Sequence, residues 1–118
     1  MATETIEINR QISQADWLEF FDAFTKDNRG RLLTIELLDQ ELGDQELIKA
    51  APLWAIARDP ADKGDAIIIE TGRETVSYAH TIDAPIDVWA GQDENGVILV
   101  LKISDSQGNH TLLKFQRE

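Results

Sequence analysis

The spacing of apolar side chains near the start of the chain predicts one amphipathic helix. Four aromatic residues recur at intervals of three and four positions, which places them on one face of an α-helix. They are Trp17, Phe20, Phe21 and Phe24. Acidic side chains occupy the other faces, so we predict a helix over residues 14–26. An aromatic stripe of this size is unfavourable in water, and the helix must therefore pack on another element.

Residues 12–17 predict where this helix begins. Ser13 is a preferred N-cap, and Asp16 follows it at the spacing of a capping box, with Asp in place of Glu. Ile12 and Trp17 have the spacing of a hydrophobic staple, in which the residue before the cap packs on the fourth helical residue. Both features predict a helix that begins directly after Ser13.

The remainder of the chain consists of short β-rich runs separated by turn residues. The runs are residues 31–38, 53–57, 66–70, 75–82, 86–90, 97–103 and 110–115. Asn95-Gly96 is a strong hairpin signal, and the other connections in the C-terminal half are also short. Because a parallel crossover needs about a dozen residues or more, neighbouring strands in this half are expected to be antiparallel.

Residues 39–52 are open to two interpretations, a short helix and a loop. The tetrapeptide Asp-Gln-Glu-Leu occurs twice, on either side of Gly43. A repeat of this length places its two copies on different sides of a helix, so it indicates no repeated architecture. We favour a short helix over residues 44–50, ending before Pro52 because the position before proline disfavours helical backbone.

Two of the β-rich runs are apolar on both faces. Residues 66–69 and 97–101 do not alternate between apolar and polar, a pattern typical of strands that are buried on both sides. One face would line the core, and the other would contact the helix or a second subunit. The sequence leaves both alternatives open and favours a single helix that covers a strongly bent sheet.

Together these elements predict an α+β fold in a single domain spanning residues 1–118. The N-terminal amphipathic helix packs on a strongly curved antiparallel meander of about six strands. Closure of this meander into a small barrel is an alternative that the sequence leaves open. Residues 1–11 would form a flexible N-terminal arm.

Composition and charge narrow the classes of function. Hydrophobic residues make up 42% of the chain and charged residues 28%, as in ordinary globular proteins. The formal net charge is −11, and a field of that sign repels phosphate backbones and anionic lipids. We therefore expect no nucleic-acid partner and no membrane partner. The sequence also shows no apolar leader or spanning segment, so we expect a cytoplasmic protein.

The residue patterns of common catalytic centres are missing from the sequence. There is no cysteine and there are two histidines, which is too few ligands for a standard zinc site. No serine lies in a nucleophile elbow, and the seven glycines are scattered singly instead of forming a phosphate-binding loop. We therefore expect no catalytic residues, no metal and no cofactor.

Five side chains are candidates for a ligand or partner site. Tyr78 and His80 share one face of a predicted strand, where a half-buried structural histidine is the simplest interpretation. Alternatively, both would line a pocket at the mouth of the sheet together with Asp83. Trp89 and Asp87 share the strand face opposite to their apolar neighbours. There Trp89 would either pack under the helix or form an exposed anchor for a partner.

Several short motifs follow one another in a characteristic order along nearly the whole chain. They are Ile12-Ser13, Asp16-Trp17, residues 20–24, Arg29-Gly30, residues 34–36, Pro52-Leu53, residues 57–60, residues 80–82, Pro85, Val88-Trp89 and residues 111–115. In this order they resemble a family of short bacterial domains of unknown function. The resemblance implies one compact bacterial domain and no assigned activity. Packing alone least explains His80-Thr81 and Trp89 among these motifs.

Two hypotheses of function follow from these observations. The first is a non-enzymatic adaptor domain that binds a protein partner or a second copy of itself; it predicts a contiguous exposed apolar patch above about 400–600 Å². The alternative is a domain that binds a small molecule, or is weakly catalytic, around His80. It predicts a concave pocket that joins His80 to Tyr78 and Asp83, and a shifted pKa of His80.

Overall fold

The computed structural model describes residues 6–59 and 65–117, which contain one α-helix and eight β-strands. The elements in chain order are β1 (Ile8–Ile12), a 3-10 turn (Gln14–Asp16), α1 (Trp17–Asn28), β2 (Leu32–Asp39), β3 (Gly43–Arg58), β4 (Ile67–Thr71), β5 (Tyr78–Ile82), β6 (Pro85–Gln92), β7 (Ile98–Asp105) and β8 (His110–Phe115). All strands pair antiparallel in the order β1-β6-β7-β8-β2-β3-β4-β5. The sheet is open, because its two edge strands β1 and β5 do not pair with each other.

The predicted combination of a helix with an antiparallel sheet is confirmed, whereas the strand count and the barrel alternative are wrong. Strand β1 includes residues 8–11 of the segment where we expected a flexible arm, and it pairs with β6 so that Ile12 lies opposite Val88. Its sequence has little β-propensity, so the strand depends on the available edge of β6. Residues 1–5 of the expected arm lie outside the described residues.

The predicted α-helix begins three residues later than expected, at Trp17, and without the predicted capping box. A 3-10 turn leads directly into α1, and neither Ser13 nor Asp16 makes a side-chain cap. Instead, the backbone N–H of Asp16 donates to the carbonyl of Ser13 at 2.8 Å. The indole N–H of Trp17 donates to the carbonyl of Ile12 at 2.9 Å, and both residues are buried, as the staple spacing predicted.

The short helix predicted over residues 44–50 is wrong, because these residues begin the 16-residue strand β3. The carboxylate of Asp39 accepts two backbone N–H groups of the following turn, at 2.8 and 3.0 Å. Gly43 completes the turn with a φ of +78°. The chain then returns along β2, where Ile48 lies opposite Ile35 and packs against the core. Cross-strand pairing and burial therefore override the local helical preference.

Strand β3 connects two parts of the sheet, because its two halves have different partners. Its first half pairs with β2, and from Leu53 onwards it pairs with β4. A bulge marks the change: Ala50 has a φ of +50°, and its N–H donates to the hydroxyl of Thr34 at 3.1 Å. Helix α1 replaces β2 along the second half, where the hydroxyl of Thr25 accepts the backbone N–H of Ile56 at 3.0 Å.

The core lies between α1 and one face of the sheet. Trp17, Phe21 and Phe24 are buried, and the ring of Phe24 meets that of Phe115 edge to face with centroids 5.1 Å apart. The predicted aromatic stripe therefore packs as expected, with Phe20 half-buried at its margin.

No helix within residues 6–59 and 65–117 has the length and apolar character to cross a membrane.

The two runs that we predicted to be buried on both faces are fully buried on one face. In β4, Ile67 and Ile69 are inaccessible, whereas Ile68 between them is half-buried. In β7, Leu101 is inaccessible and Val100 is half-buried. Because α1 packs on the core side, the outer faces of these strands keep partial contact with solvent.

Candidate functional site

The five candidate side chains are divided between the two sides of the sheet. Tyr78 and His80 are half-buried on the core side of β5, and Asp83 follows in the corner between β5 and β6. Asp87 and Trp89 lie half-buried on the outer face of β6, alternating with buried residues of the core. The five side chains therefore form two separate groups on opposite sides of the sheet and not one site.

A cavity of about 220 Å³ lies between the β5–β6 corner and the turn that joins β7 to β8. Its polar lining includes His80, Asp83, Asp105, Gln107, Asn109 and Thr111. Tyr78, which we expected in the same pocket, is not among the lining residues. The volume lies below the range of about 300–1,000 Å³ that is typical of pockets for drug-sized ligands, so any occupant must be small.

His80 forms part of the inner wall of this cavity. Its Nε2 lies 3.4 Å from Oγ1 of Thr111, a side chain that is only 2% exposed. The two residues belong to β5 and β8, which are not neighbours in the sheet. Burial lowers the pKa of the His80 imidazole from its ordinary 6.5, because the charged form loses its hydration. The ring is therefore neutral at pH 7.

Backbone and side-chain hydrogen bonds hold the mouth of the cavity. Ala84 occupies the corner with a φ of +50°, and its carbonyl accepts the N–H of Ser106 at 3.0 Å. Oδ1 of Asp105 accepts the backbone N–H groups of Gln107 and Asn109 at 2.9 and 3.1 Å. These bonds join the corner to the β7–β8 turn, so the cavity has a defined shape without a ligand.

The β2–β3 turn supports the mouth from the opposite side. The backbone N–H of Gln40 donates to Oδ1 of Asn109 at 3.2 Å. The side chain of Gln40 occupies the space above Gly108, where any Cβ would meet it. Gly108 also has a φ of +86°, a left-handed conformation that strongly favours glycine. Two hairpin turns thus brace each other beside the cavity.

The ionised groups that line the cavity have one sign. Within residues 6–59 and 65–117, the lining contains the carboxylates of Asp83 and Asp105 and neither lysine nor arginine. In the part of the chain that the structure describes, no three His, Asp or Glu side chains are grouped in a way that could hold a metal ion. The cavity can therefore offer hydrogen-bond acceptors and negative charge to an occupant.

A row of polar side chains on the outer face was missed from the sequence. Asp87, Ser104 and His110 lie side by side on β6, β7 and β8. Ser104 is 4% exposed, and its Oγ lies 2.6 Å from Nδ1 of His110. The serine stands between the other two residues, so the row lacks the central histidine of a catalytic triad. The short turn at residues 105–109 was the sequence signal for this contact, because it places Ser104 opposite His110 in the hairpin.

Asp87 leaves one oxygen of this row unused. Its Oδ1 is buried and has no hydrogen-bond partner among residues 6–59 and 65–117. Trp89, two residues further along the same face, lies between Gln11 of β1 and Lys102 of β7. The outer face thus combines an aromatic ring with polar groups and is separate from the cavity.

Known proteins place the chain in one family. A family model of DUF5335, described as a family of unknown function, matches residues 8–118. An uncharacterized protein of Aquifex aeolicus (strain VF5) is 28% identical over 107 residues, which cover 91% of each chain. No solved structure matches the chain. The resemblance to short bacterial domains of unknown function is confirmed, and the chain belongs to the DUF5335 family.

Proposed function

We propose that the chain binds a small polar molecule in the cavity between the β5–β6 corner and the β7–β8 turn. The observation that carries this proposal is the half-buried His80, which faces the hydroxyl of Thr111 inside the cavity. A concave site with converging polar groups and a residue of shifted pKa is the usual form of a ligand site. His80 and Asp83, which the alternative hypothesis named, both line this cavity and so support the proposal.

The geometry around His80 supports binding more than catalysis. The separation of 3.4 Å between His80 Nε2 and Thr111 Oγ1 is longer than the roughly 2.6–3.2 Å of a nucleophile and its base. Thr111 is also almost inaccessible, so a substrate atom would not reach its hydroxyl oxygen. His80 is instead well placed to hold a ligand through a hydrogen bond, and Thr111 helps to orient its ring.

A fragment screen by NMR tests the proposal. We expect at least one small polar compound to shift the backbone amide signals of residues 80–84 and 105–109 in the ¹⁵N-labelled protein. Ser106→Trp fills the cavity mouth, because Ser106 is an exposed residue of its lining, and should abolish these shifts. Glu94→Trp adds the same bulk to the exposed β6–β7 turn and should leave them unchanged.

Two outcomes of this screen count against the proposal. The first is that every compound that binds shifts only the signals of other residues, or that no compound binds at all. The second is a folded Ser106→Trp protein that binds as well as the unmodified chain does.

A second candidate function is recognition of a protein partner or a second copy on the outer face of β6. The specific observation is Trp89, a residue type enriched at binding hot spots, beside the unpartnered buried oxygen of Asp87. The large apolar side chains that are well exposed lie on several different elements and loops. They are Ile6, Ile8, Leu18, Leu42, Val76, Ile86 and Val97. Because these side chains are scattered, a partner site on the outer face is less well supported than a ligand site in the cavity.

Native mass spectrometry of the untagged protein tests this second candidate. We expect a dimer or a partner complex that Trp89→Ala dissociates while leaving the circular dichroism spectrum unchanged. A bare monomer of 13.3 kDa would contradict self-association. Unfolding of the Trp89→Ala protein would show instead that Trp89 stabilises the fold.

A further inference from the structure

We infer that the ligand of the cavity is a small organic cation that carries a protonated amine or a guanidinium group. This inference rests on the proposed function and names the charge and size of the ligand for that same cavity. It follows from three properties of the described lining: the sign of its charges, the kind of hydrogen-bonding groups it presents and its volume.

The charges of the lining favour a cation. Asp83 is exposed at the corner, and Asp105 begins the β7–β8 turn opposite to it. Among the residues that the structure describes, no lysine or arginine lines the cavity to neutralise them. The imidazole of His80 is held in its neutral form by burial and contributes no positive charge at pH 7. A carboxylate or phosphate ligand would therefore meet two like charges without a compensating group.

The hydrogen-bonding groups also favour a donor-rich ligand. Asp105 accepts both turn N–H groups through Oδ1, which leaves the acceptor capacity of its Oδ2 for an occupant. A neutral imidazole such as that of His80 has one acceptor nitrogen, and His80 lines the cavity. An ammonium group has three donors and no acceptor, so it complements a lining of this kind.

The volume restricts the ligand to a short molecule. The cavity of about 220 Å³ corresponds to the liquid volume of about seven water molecules, taking about 30 Å³ for each. A four-carbon amine fits this space, whereas a drug-sized ligand would extend well beyond it. A small amine or guanidinium is therefore the class of ligand that the cavity selects.

Three probes of equal chain length test the charge of the ligand. They are 1-butylamine, 1-butanol and butyrate, added to the ¹⁵N-labelled protein at pH 7.5 and low salt. We expect 1-butylamine to shift the amide signals of residues 80–84 and 105–109. Its affinity should be about fivefold above that of 1-butanol, because an exposed ion pair increases affinity by about this factor at most. Butyrate should shift none of them.

Two charge-neutralising variants locate the effect. Asp83→Asn should weaken 1-butylamine binding by about fivefold and so remove the preference of the cavity for 1-butylamine over 1-butanol. Asp22→Asn removes the same charge from the exposed face of α1, outside the cavity, and should leave both affinities unchanged. The amide spectra of both variants report whether the fold is retained.

The outcomes separate this inference from the proposed function. If 1-butanol or butyrate binds at these residues as tightly as 1-butylamine, the inference is overturned and the cavity remains a binding site. Equal weakening by Asp22→Asn would overturn it as well. If none of the three probes shifts these amides, the inference is also overturned, and the fragment screen decides the proposed function separately.

Discussion

At the scale of single residues, burial decides the state of His80. The side chain shares the core side of β5 with Ile82 and lies opposite Ile69 on β4, so it is half surrounded by apolar groups. Its polar contact is with Thr111 on β8. Removal of water from the ring disfavours the imidazolium form, which lowers the pKa of His80 below 6.5.

The lowered pKa of His80 predicts a loss of stability in mild acid. The unfolded chain, in which His80 has an ordinary pKa near 6.5, binds the proton more tightly than the folded chain does. The contribution of His80 is therefore fully present above pH 6.5 and is lost as the pH falls towards its folded pKa. Replacement by Gln should reduce the fall in urea midpoint between pH 7.5 and pH 5.5.

NMR titration of the imidazole provides the direct measurement. The carbon-bound ring protons of His80 should titrate with a midpoint below 6.5. The variant His110→Gln leaves one histidine and so assigns the signal. A midpoint at or above 6.5 would contradict burial as the controlling factor.

Thr71 provides a second prediction at the residue scale. Its side chain is inaccessible in β4, and its hydroxyl has no hydrogen-bond partner among the residues that the structure describes. Burial of an unsatisfied hydroxyl costs about 1–3 kcal/mol. We expect Thr71→Val to raise the free energy of unfolding by about 1 kcal/mol, measured by urea denaturation.

Thr111→Val is the matched control for this measurement. Thr111 is equally buried, but its hydroxyl contacts His80. This variant should therefore not stabilise the protein. Destabilisation by Thr71→Val would indicate that a water molecule satisfies the hydroxyl of Thr71.

At the scale of elements, three hairpin turns share one construction. Each begins with an aspartate whose carboxylate accepts backbone N–H groups of the turn, and each contains a glycine with positive φ. The pairs are Asp39 with Gly43, Asp93 with Gly96, and Asp105 with Gly108. The carboxylate satisfies N–H groups that have no strand partner, and glycine adopts the left-handed backbone at little cost. These turns set the register of β2–β3, β6–β7 and β7–β8.

The β6–β7 turn offers the clearest test of this construction. Asp93 accepts the N–H groups of Asn95 and Val97, both at 2.9 Å, and receives the guanidinium of Arg117 at 2.6 Å. The N–H of Val97 makes the largest contribution to lowering the pKa of Asp93, followed by Arg117. We expect Asp93→Ala to lower the urea midpoint more than Asp93→Asn does, because asparagine keeps one acceptor oxygen.

Glu94→Ala is the control for the same turn. Glu94 is the exposed neighbour of Asp93, and substitutions at such surface positions usually change stability by less than about 0.5 kcal/mol. If Glu94→Ala and Asp93→Ala had equal effects, the hydrogen bonds of Asp93 would not be what stabilises the turn.

At the scale of the whole molecule, the main features are the excess of negative charge and the two open edges of the sheet. The chain carries 22 acidic and 11 basic residues, so repulsion among carboxylates exceeds the attraction of the ion pairs. The described residues include three such pairs: Arg58 with Asp65, Lys114 with Glu36, and Arg117 with Asp93. The edge strand β1 carries Arg10, and a charged residue of this kind discourages unwanted pairing of an edge.

The excess of negative charge predicts stabilisation by salt. Screening at 0.15 M acts over about 8 Å and weakens both repulsion and ion pairs, but repulsion is the larger effect in this chain. We expect the Tm to rise by a few degrees, about 4 °C at most, between 0.01 and 0.15 M NaCl. An equal rise in KCl would identify screening, and a fall in Tm would show that the ion pairs are more important than repulsion.

Part of the candidate site could be predicted from local sequence. The alternation of β5 places His80 on the core side, and the Asp83-Ala84-Pro85 corner places Asp83 at its end. Most of the remaining polar lining, which includes Asp105, Gln107, Asn109 and Thr111, comes from β7, β8 and the turn between them. Thr111 lies 31 positions away from His80, and β5 and β8 are not paired, so no local pattern connects them.

The sequence by itself determined those elements whose signals lie within a few residues of one another. The aromatic stripe specified α1, and apolar runs bounded by turn residues specified most strands, because periodicity and turn chemistry are local properties. Tertiary structure decided β1, the first half of β3 and the cavity. These features depend on which strand edge is free and where β3 changes its partner, and such contacts between distant residues leave no periodic signal.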